Sequence, residues 1–311
     1  MVKDLIDFVG SIDDNFMVKS VERSISNSSK PYLTIVLQDA SGTIDAKKWE
    51  IEPGDLEIIV PGVVIGVHGS VIKYKTKPQV KIASVEAVNQ ALVDRTLYVQ
   101  TAPLPLPEIE REVKSLVGQI ADPQVKAVVE GVMRDNWPAY VSYPAAVTVH
   151  EAYEAGLIFH SLSVCKIALA IAALYPGVFH KDYVIAGTLL HDIGKVEELS
   201  GPVQTKYTRR GKLESHIQIG AMIVNRKCRE LGLNDEKTDL LTHIILSHHG
   251  VPEYGSPVLP KTSDAFLVHL ADDADAKINI LEQYLDQTKP GEFTIRIPWM
   301  DGIEVYNPDL K

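Results

Sequence analysis

Cysteine is scarce in this chain. Only Cys165 and Cys228 occur in 311 residues, both in stretches of helical period, which argues against a disulfide framework and against a thiolate zinc finger. Positive charge is also in short supply. Lysine and arginine total 31 against 41 acidic residues, a net charge of −10, so bulk charge does not suit the chain to coating nucleic acid. A local basic groove, or carboxylates neutralised by a cation, stays open. Long apolar runs are missing too: none is read as reaching the roughly 18 residues of a membrane span, and the nearest, IALAIAALYPGVF, breaks at Pro176-Gly177. The start, MVKDLIDFVGSIDD, carries charges every few residues and does not read as a signal peptide. The expectation is a cytoplasmic protein with no membrane partner. What is present is an ordinary globular balance, 45% hydrophobic and 23% charged, in a length suited to two domains of about 100–200 residues.

Texture changes near residue 90. In YLTIVLQDASGTIDAKKW, Leu33, Ile35 and Leu37 share one face, Asp39 to Gly42 turn, and Ile44 and Ala46 resume, a hairpin of period two. GVVIGVHGSVIKY and PQVKIASVEAV read as two more strands around a turn at Lys75–Pro78, and NFMVKSVERSIS as a first one. Five short strands hide their edges most economically in a small closed barrel, of which the OB-fold is the commonest. Residues 91–120 read as a linker and first helix, and the proline-rich TAPLPLPEIE as neither helix nor central strand. Beyond it the period is helical, and GLIFHSLSVCKIALAIAALYP sets His160, Val164, Ile167, Ile171 and Leu174 on one stripe.

Histidine placement is the strongest signal. Nine of the ten fall between His150 and His269, most on the inward stripe of a helix. One such residue is ordinary core; several on separate helices, beside Asp192 and Asp272, cost several kcal/mol each to bury unless paired or metal-bound. Imidazole with carboxylate suits Mn, Fe, Co, Ni, Zn or Mg. His191 and Asp192 stand about 100° apart on a helix, so both reach one cation only where the helix ends. A carboxylate next to an imidazole also suits a bridge between two ions, which together clamp the attacking and leaving oxygens of a phosphate ester. Lys195, one turn on, is placed to neutralise developing phosphoryl charge; its plainer reading is a helix-end cation.

His160, then His191-Asp192, then Asp272 resembles the H…HD…D pattern of the HD-domain metal-dependent phosphohydrolases. KPYLTIVLQDASGTIDAKKW, HEAYEAGLIFHSLSV, GTLLHDIGKVEEL, GKLESHIQIG and THIILSHHGVPEYGSPVLPKTSDAFLVHLADDADAK are similar to the YhaM-type 3′-to-5′ exoribonucleases, most specifically in ILSHHGVPEYGSP. The resemblance implies an α+β two-domain chain: an OB-fold over 1–90, then an all-α HD bundle over 121–311. It implies His160, His191, Asp192 and Asp272 as core ligands, and a second ion recruiting His216 and His248 or His249, with manganese favoured. Two departures from the family stand out, His150-Glu151-Ala152-Tyr153 in place of a histidine pair before the tyrosine, and Ala155-Gly156 in place of Gly-Gly.

Around that set, His243 and His269 read as hydrogen-bond partners of a ligand or as core, and Asp275 as a holder of a ligand histidine or of Lys195, or as a solvated carboxylate. Glu197 and Glu198 read as surface; His68 and His180 read as structural or exposed. In the barrel, Tyr32, Trp49, Lys73, Tyr74 and Lys75 are the nucleic-acid candidates, with Lys77 and Lys81 beside them, although unbroken alternation sets Lys73 and Lys75 opposite Tyr74 and acidic residues outnumber basic ones 12 to 10 over 1–90. The reading is a two-ion phosphodiesterase, with Asp192 and Lys195 in the chemistry, that shortens RNA or single-stranded DNA from the 3′ end. Its rivals are a phosphohydrolase of small nucleotides with the barrel as regulatory or assembly module, and a non-catalytic nucleic-acid binder with a structural metal. A homo-oligomer is left open.

Overall fold

Alternation turns the first part of the chain into a barrel. The computed structural model describes residues 1–26, 29–75, 77–99, 102–145, 155–202 and 205–310. Within them β1 (Gly10–Ile25), β2 (Pro31–Asp39), β3 (Gly42–Lys48), β4 (Val64–Tyr74) and β5 (Lys77–Ala87) close in the order β1-β2-β3-β5-β4, with only β3 and β5 parallel. This is the expected five-stranded barrel. Leu33, Ile35 and Leu37 point inward and pair across the hairpin with Lys48, Ala46 and Ile44. At the turn, buried Asp39 accepts the Ser41 N–H at 2.7 Å and the Val2 N–H at 2.6 Å. β1 starts at Gly10 rather than at Asn15, because its first half pairs with β4 and its second half with β2, on either side of a bulge near Val18.

Two compact units result, one over Met1–Thr101 and a second beginning at Ala102. The stretch just past residue 90 stays with the barrel: the Gln90 amide bridges the Val64 N–H (3.0 Å) and carbonyl (2.7 Å), and the Ala40 N–H donates to Leu97 at 3.0 Å.

The second unit is helical: α1 (Leu106–Gly118), α2 (Pro123–Ser142), α3 (Gly156–Leu174), α4 (Lys181–Leu190), α5 (Arg209–Glu230), α6 (Asp235–Ser247) and α7 (Ser263–Asp286). Asp122, Thr208, Asn234 and Thr262 cap four of these by accepting N–H groups of the first turn. One expectation fails at α1, which begins inside the proline-rich stretch. Pro107 sits in its first turn, where no N–H is needed. Two fail at α3. With a mean hydropathy of 2.0 over 18 of its 19 residues, it is long and apolar enough to cross a membrane by length and composition, despite one lysine and one histidine. Its stripe ends at Ile171: the last turn outruns the cluster formed with Val184 and Leu267, leaving Leu174 74% exposed. The first turns are core, with Leu157, Ile158 and Leu162 packed among Val128, Ile185 and Leu189.

The inward alternation of β3 continues from Ile44 and Ala46 to Lys48, whose side chain is buried. Its Nζ donates to the Ala83 carbonyl at 2.9 Å and lies 3.3 Å from Asp55 Oδ2 in the one-turn helix Asp55–Ile58. Removing one partner of a buried pair strands the other's charge. Lys48→Met should therefore destabilise the barrel by about 3–5 kcal/mol, and the double change with Asp55→Leu should recover most of that loss, read by denaturant unfolding through neighbouring Trp49.

Candidate metal centre

Five elements deliver the ionisable groups. α3 carries His160 in its second turn. α4 ends at Leu190, so His191 and Asp192 fall on the turn before the one-turn helix Lys195–Glu198. That turn runs against the chain at His216: a Cβ on Gly194 would lie 1.9 Å from the His216 carbonyl oxygen, so only glycine fits the HDIGK motif there. His216 follows a break inside α5 at Ser215 (φ 60°, ψ 160°). His248 and His249 close α6 ahead of Gly250, which has φ +80° and would put a Cβ 2.3 Å from the His269 ring. Asp272 and Asp275 stand about one turn apart on α7.

These groups form two clusters that share one carboxylate. In the first, His160 Nε2 lies 3.0 Å from Asp272 Oδ1, 3.2 Å from His191 Nε2 and 3.6 Å from Asp192 Oδ2. In the second, Asp192 Oδ1 lies 3.6 Å from His216 Nε2 and 3.7 Å from His248 Nε2, and the His248 and His249 ring centroids are 4.3 Å apart. Ligand atoms of His160, His191 and Asp192, and separately of His216, His248 and His249, all lie within 4.8 Å of one another.

The ring orientations have a common cause. His191 Nδ1 donates to the Thr188 carbonyl (2.8 Å), His248 Nδ1 to Ile245 (2.7 Å) and His249 Nδ1 to Tyr254 (2.7 Å). His160 Nδ1 faces Asp275 Oδ2 at 2.8 Å, and His216 Nδ1 faces Glu198 Oε1 at 3.1 Å. With every Nδ1–H so engaged, a neutral ring turns its Nε2 lone pair into the cluster. In that tautomer the Nε2 lone pairs and the carboxylate oxygens face one another, with Lys195 donating to Asp192 Oδ2 at the edge of the first cluster, and that arrangement fits a cation. Among the described residues, the buried atoms Asp192 Oδ1, His216 Nε2 and His248 Nε2 have no hydrogen-bond partner, and all three face the second cluster.

Protonation preferences agree. Burial pushes the Asp192 carboxyl up, but the Lys195 ammonium at 2.5 Å outweighs it and holds the group well below the usual carboxylate range. Asp272 is likewise held low against burial, chiefly by its 3.0 Å contact with His160 Nε2. Burial lowers His191, His248 and His249, which keeps these rings neutral. Charged carboxylates and neutral imidazoles are the forms that bind metal. Burial lowers Lys195, yet Asp192 at 2.5 Å raises it further, so the ammonium stays charged.

The structure therefore brings His160, His191, Asp192, Asp272, His216, His248 and His249 together, with Lys195 against Asp192. Of the two roles expected for Asp275, the structure shows the contact with His160, and the carboxylate also accepts the Ser163 hydroxyl. His243 is a correction. Its Nε2 accepts the Lys261 N–H at 2.9 Å and the ring faces a surface cleft with Glu236 and Asp239, because the helix face it occupies turns to the 259–262 loop. His269 donates to the His248 carbonyl at 2.9 Å. Glu198 is a second correction: it is buried rather than on the surface, beside the Leu199–Tyr207 bridge and against Gly211 and His216 at the start of α5. Glu197 is half-buried and pairs with Arg210. His180 pairs with buried Asp264, and His68 with Asp13 on the barrel. The departure at His150–Tyr153 lies outside the described residues.

The barrel candidates separate into two groups. Tyr32 and Trp49 stack at 4.5 Å with Lys47 Nζ 4.7 Å from the Tyr32 ring centroid. Tyr74, Lys75 and Lys73 lie at the β4–β5 tip. Register sets Gln79 beside Asp45 and Ile82 beside Lys48, so that tip is toward the opposite end of β3 from Trp49. The strand does not run on through Lys75: its φ of 48° turns the chain and brings Nζ to 5.6 Å from the Tyr74 ring. Lys47 has to be added to the candidates; its outward place beside Trp49 in the alternation of β3 was the available signal.

Asp275→Asn should weaken metal binding by about 10–100-fold, because an amide holds the His160 N–H less firmly than a carboxylate does. Chelator competition on the folded variant measures this; unchanged affinity would contradict the assigned role.

Residues 17–88 match the OB-fold nucleic acid binding domain and residues 157–277 the HD domain, a metal-dependent family. The 3'-5' exoribonuclease YhaM of Bacillus subtilis (strain 168) is 35% identical over 298 residues, covering 96% of this chain and 95% of that protein. The protein of the same name from Shouchella clausii (strain KSM-K16) is 36% identical over 301 residues, covering 96% and 94%. That from Halalkalibacterium halodurans is 34% identical over 303 residues, again covering 96% and 94%. Similarity of this extent takes in the barrel and the histidine clusters together, and the chain belongs to the family of the YhaM 3'-5' exoribonucleases.

Proposed function

We propose that this protein is a metal-dependent exonuclease that removes nucleotides from the 3′ end of RNA, with single-stranded DNA as a second substrate, and that it works with two divalent ions. The observation that carries the reading is Asp192, whose Oδ2 faces His160 while its Oδ1 faces His216 and His248. Mixed imidazole and carboxylate donors suit a first-row divalent ion, and manganese is the favoured one. When bound, such ions polarise a phosphoryl oxygen and supply an activated water at neutral pH.

The chain's own residues set the stage for that chemistry. Asp192 and Asp272 stay ionised, and the five imidazoles are locked by their Nδ1 partners, so little reorganisation accompanies substrate binding. Lys195 places a fixed positive charge 2.5 Å from Asp192 Oδ2, where it offsets negative charge developing on the phosphoryl oxygens. On the barrel, the Tyr32–Trp49 pair with Lys47 offers aromatic faces and a cation to a single strand; Trp49 is 44% exposed. Stacking of this kind tolerates any base. Lys73, Tyr74 and Lys75 at the hairpin tip form a second, smaller contact.

With Mn²⁺ and a 5′-labelled oligoribonucleotide, the expected product is a ladder shortening from the 3′ end. Asp192→Ala should abolish it while RNA binding persists, and Lys195→Ala should lower kcat by about 10²–10³-fold. An intact oligomer alongside turnover of a mononucleotide would contradict the reading. Trp49→Ala should weaken oligonucleotide binding by about 1–3 kcal/mol and leave hydrolysis of a small chromogenic phosphodiester unchanged; equal loss on both substrates would remove the barrel from RNA binding.

A further inference from the structure

Two carboxylates stand behind the assigned ligands: Asp275 behind His160 in the first cluster and Glu198 behind His216 in the second. Glu198 Oε1 accepts the His216 backbone N–H at 2.9 Å and lies 3.1 Å from the His216 Nδ1. In an unbroken helix that backbone N–H would go to the carbonyl four residues earlier. Ser215 prevents this with a φ of 60°, a strained conformation for a serine that persists only where surroundings dictate it. One carboxylate thus captures both N–H groups of the residue after the break, and the ring is turned so that Nε2 faces Asp192 Oδ1 at 3.6 Å.

The carboxylate is itself delivered from a fixed base. The Glu198 carbonyl accepts the Thr208 N–H at 2.8 Å, next to the bridge between Leu199 and Tyr207. Two glycines permit the close approach: a Cβ on Gly211 would meet the Glu198 carbonyl oxygen at 2.4 Å, and one on Gly194 the His216 carbonyl oxygen at 1.9 Å. The first cluster uses none of this apparatus, since His160 is held by Asp275 and His191 by the Thr188 carbonyl.

We propose that Glu198 is the positioning residue for the second ion: by holding His216 at the Ser215 break it completes that ion's pocket, and its removal leaves a folded protein that holds one ion. This rests on the two-ion reading of the site above. An ordinary helix-capping role for Glu198 would change stability without changing ion count, so the ion count discriminates.

The test is uptake of Mn²⁺ by the full chain, measured as ions per protein after gel filtration, with titrations for affinity and circular dichroism for folding. The parent should hold two ions. Glu198→Ala should hold one, with affinity for the second lowered about 100-fold, and Glu198→Gln should lower it about 10-fold, because an amide oxygen accepts these N–H groups less strongly than a carboxylate oxygen does. Two ions at parental affinity in either variant overturn the proposal, and where Glu198→Ala fails to fold, Glu198→Gln decides. A parent that takes up only one ion instead brings down the two-ion reading, and the proposal with it.

Discussion

Two imidazole nitrogens 3.2 Å apart, with carboxylates on the same side and every Nδ1–H already committed elsewhere, set acceptor against acceptor, with the Lys195 ammonium on Asp192 as the one counter-charge among the described residues of the cluster. Left alone, such an arrangement is unfavourable in a buried site, where the low dielectric magnifies repulsion and desolvation together. A divalent cation reverses the sign of each of those contacts. Much of the second unit is arranged around that constraint. α4 stops at Leu190 so that adjacent residues can point to one place; α5 breaks at Ser215; Gly194 and Gly250 allow backbone and ring to approach where a Cβ would collide. The apolar helices supply stability, and their ends supply the chemistry.

Asp192 holds a singular position in this layout. Its two oxygens look into different clusters, and Lys195 shares the one that faces His160. In the proposed two-ion reading, the shared carboxylate couples the two pockets, so the occupancy of one bears on the other. The barrel solves a different problem. It closes five strands around an apolar interior, tolerates one buried ion pair at Lys48 and Asp55, and leaves Tyr32, Lys47 and Trp49 on its outside. Its interior makes the fold, and its exterior carries the aromatic pair to which the proposed function assigns the single strand.

Much of this was legible before any coordinates. His160, the His191-Asp192 pair and Asp272 stand out because imidazoles and carboxylates on apolar helical stripes demand a reason to be there. The hairpin of β2 and β3 is legible because Leu33, Ile35 and Leu37 alternate strictly about an Asp-Ala-Ser-Gly turn. Glu198 was not legible: two adjacent glutamates shortly after a lysine resemble a solvated helix face, and the second is met by Gly211 and His216 further along the chain. The break at Ser215 left no trace, since serine is no helix breaker and the flanking residues suit a helix. His243 misled because periodicity reports which helix face a residue occupies, without saying what packs on that face. Lys48 shows the converse, where strict alternation carries a charge inward and a partner far along the chain meets it.

The central claim is that the Asp192 carboxylate lies between two cations. Anomalous diffraction at the manganese edge, from crystals of the full chain grown with Mn²⁺, measures it directly. The account predicts two peaks about 3.5–4 Å apart, one beside His160 and His191 and the other beside His216, His248 and His249, with an Asp192 oxygen against each. A single peak, or two peaks with Asp192 touching neither, would contradict it.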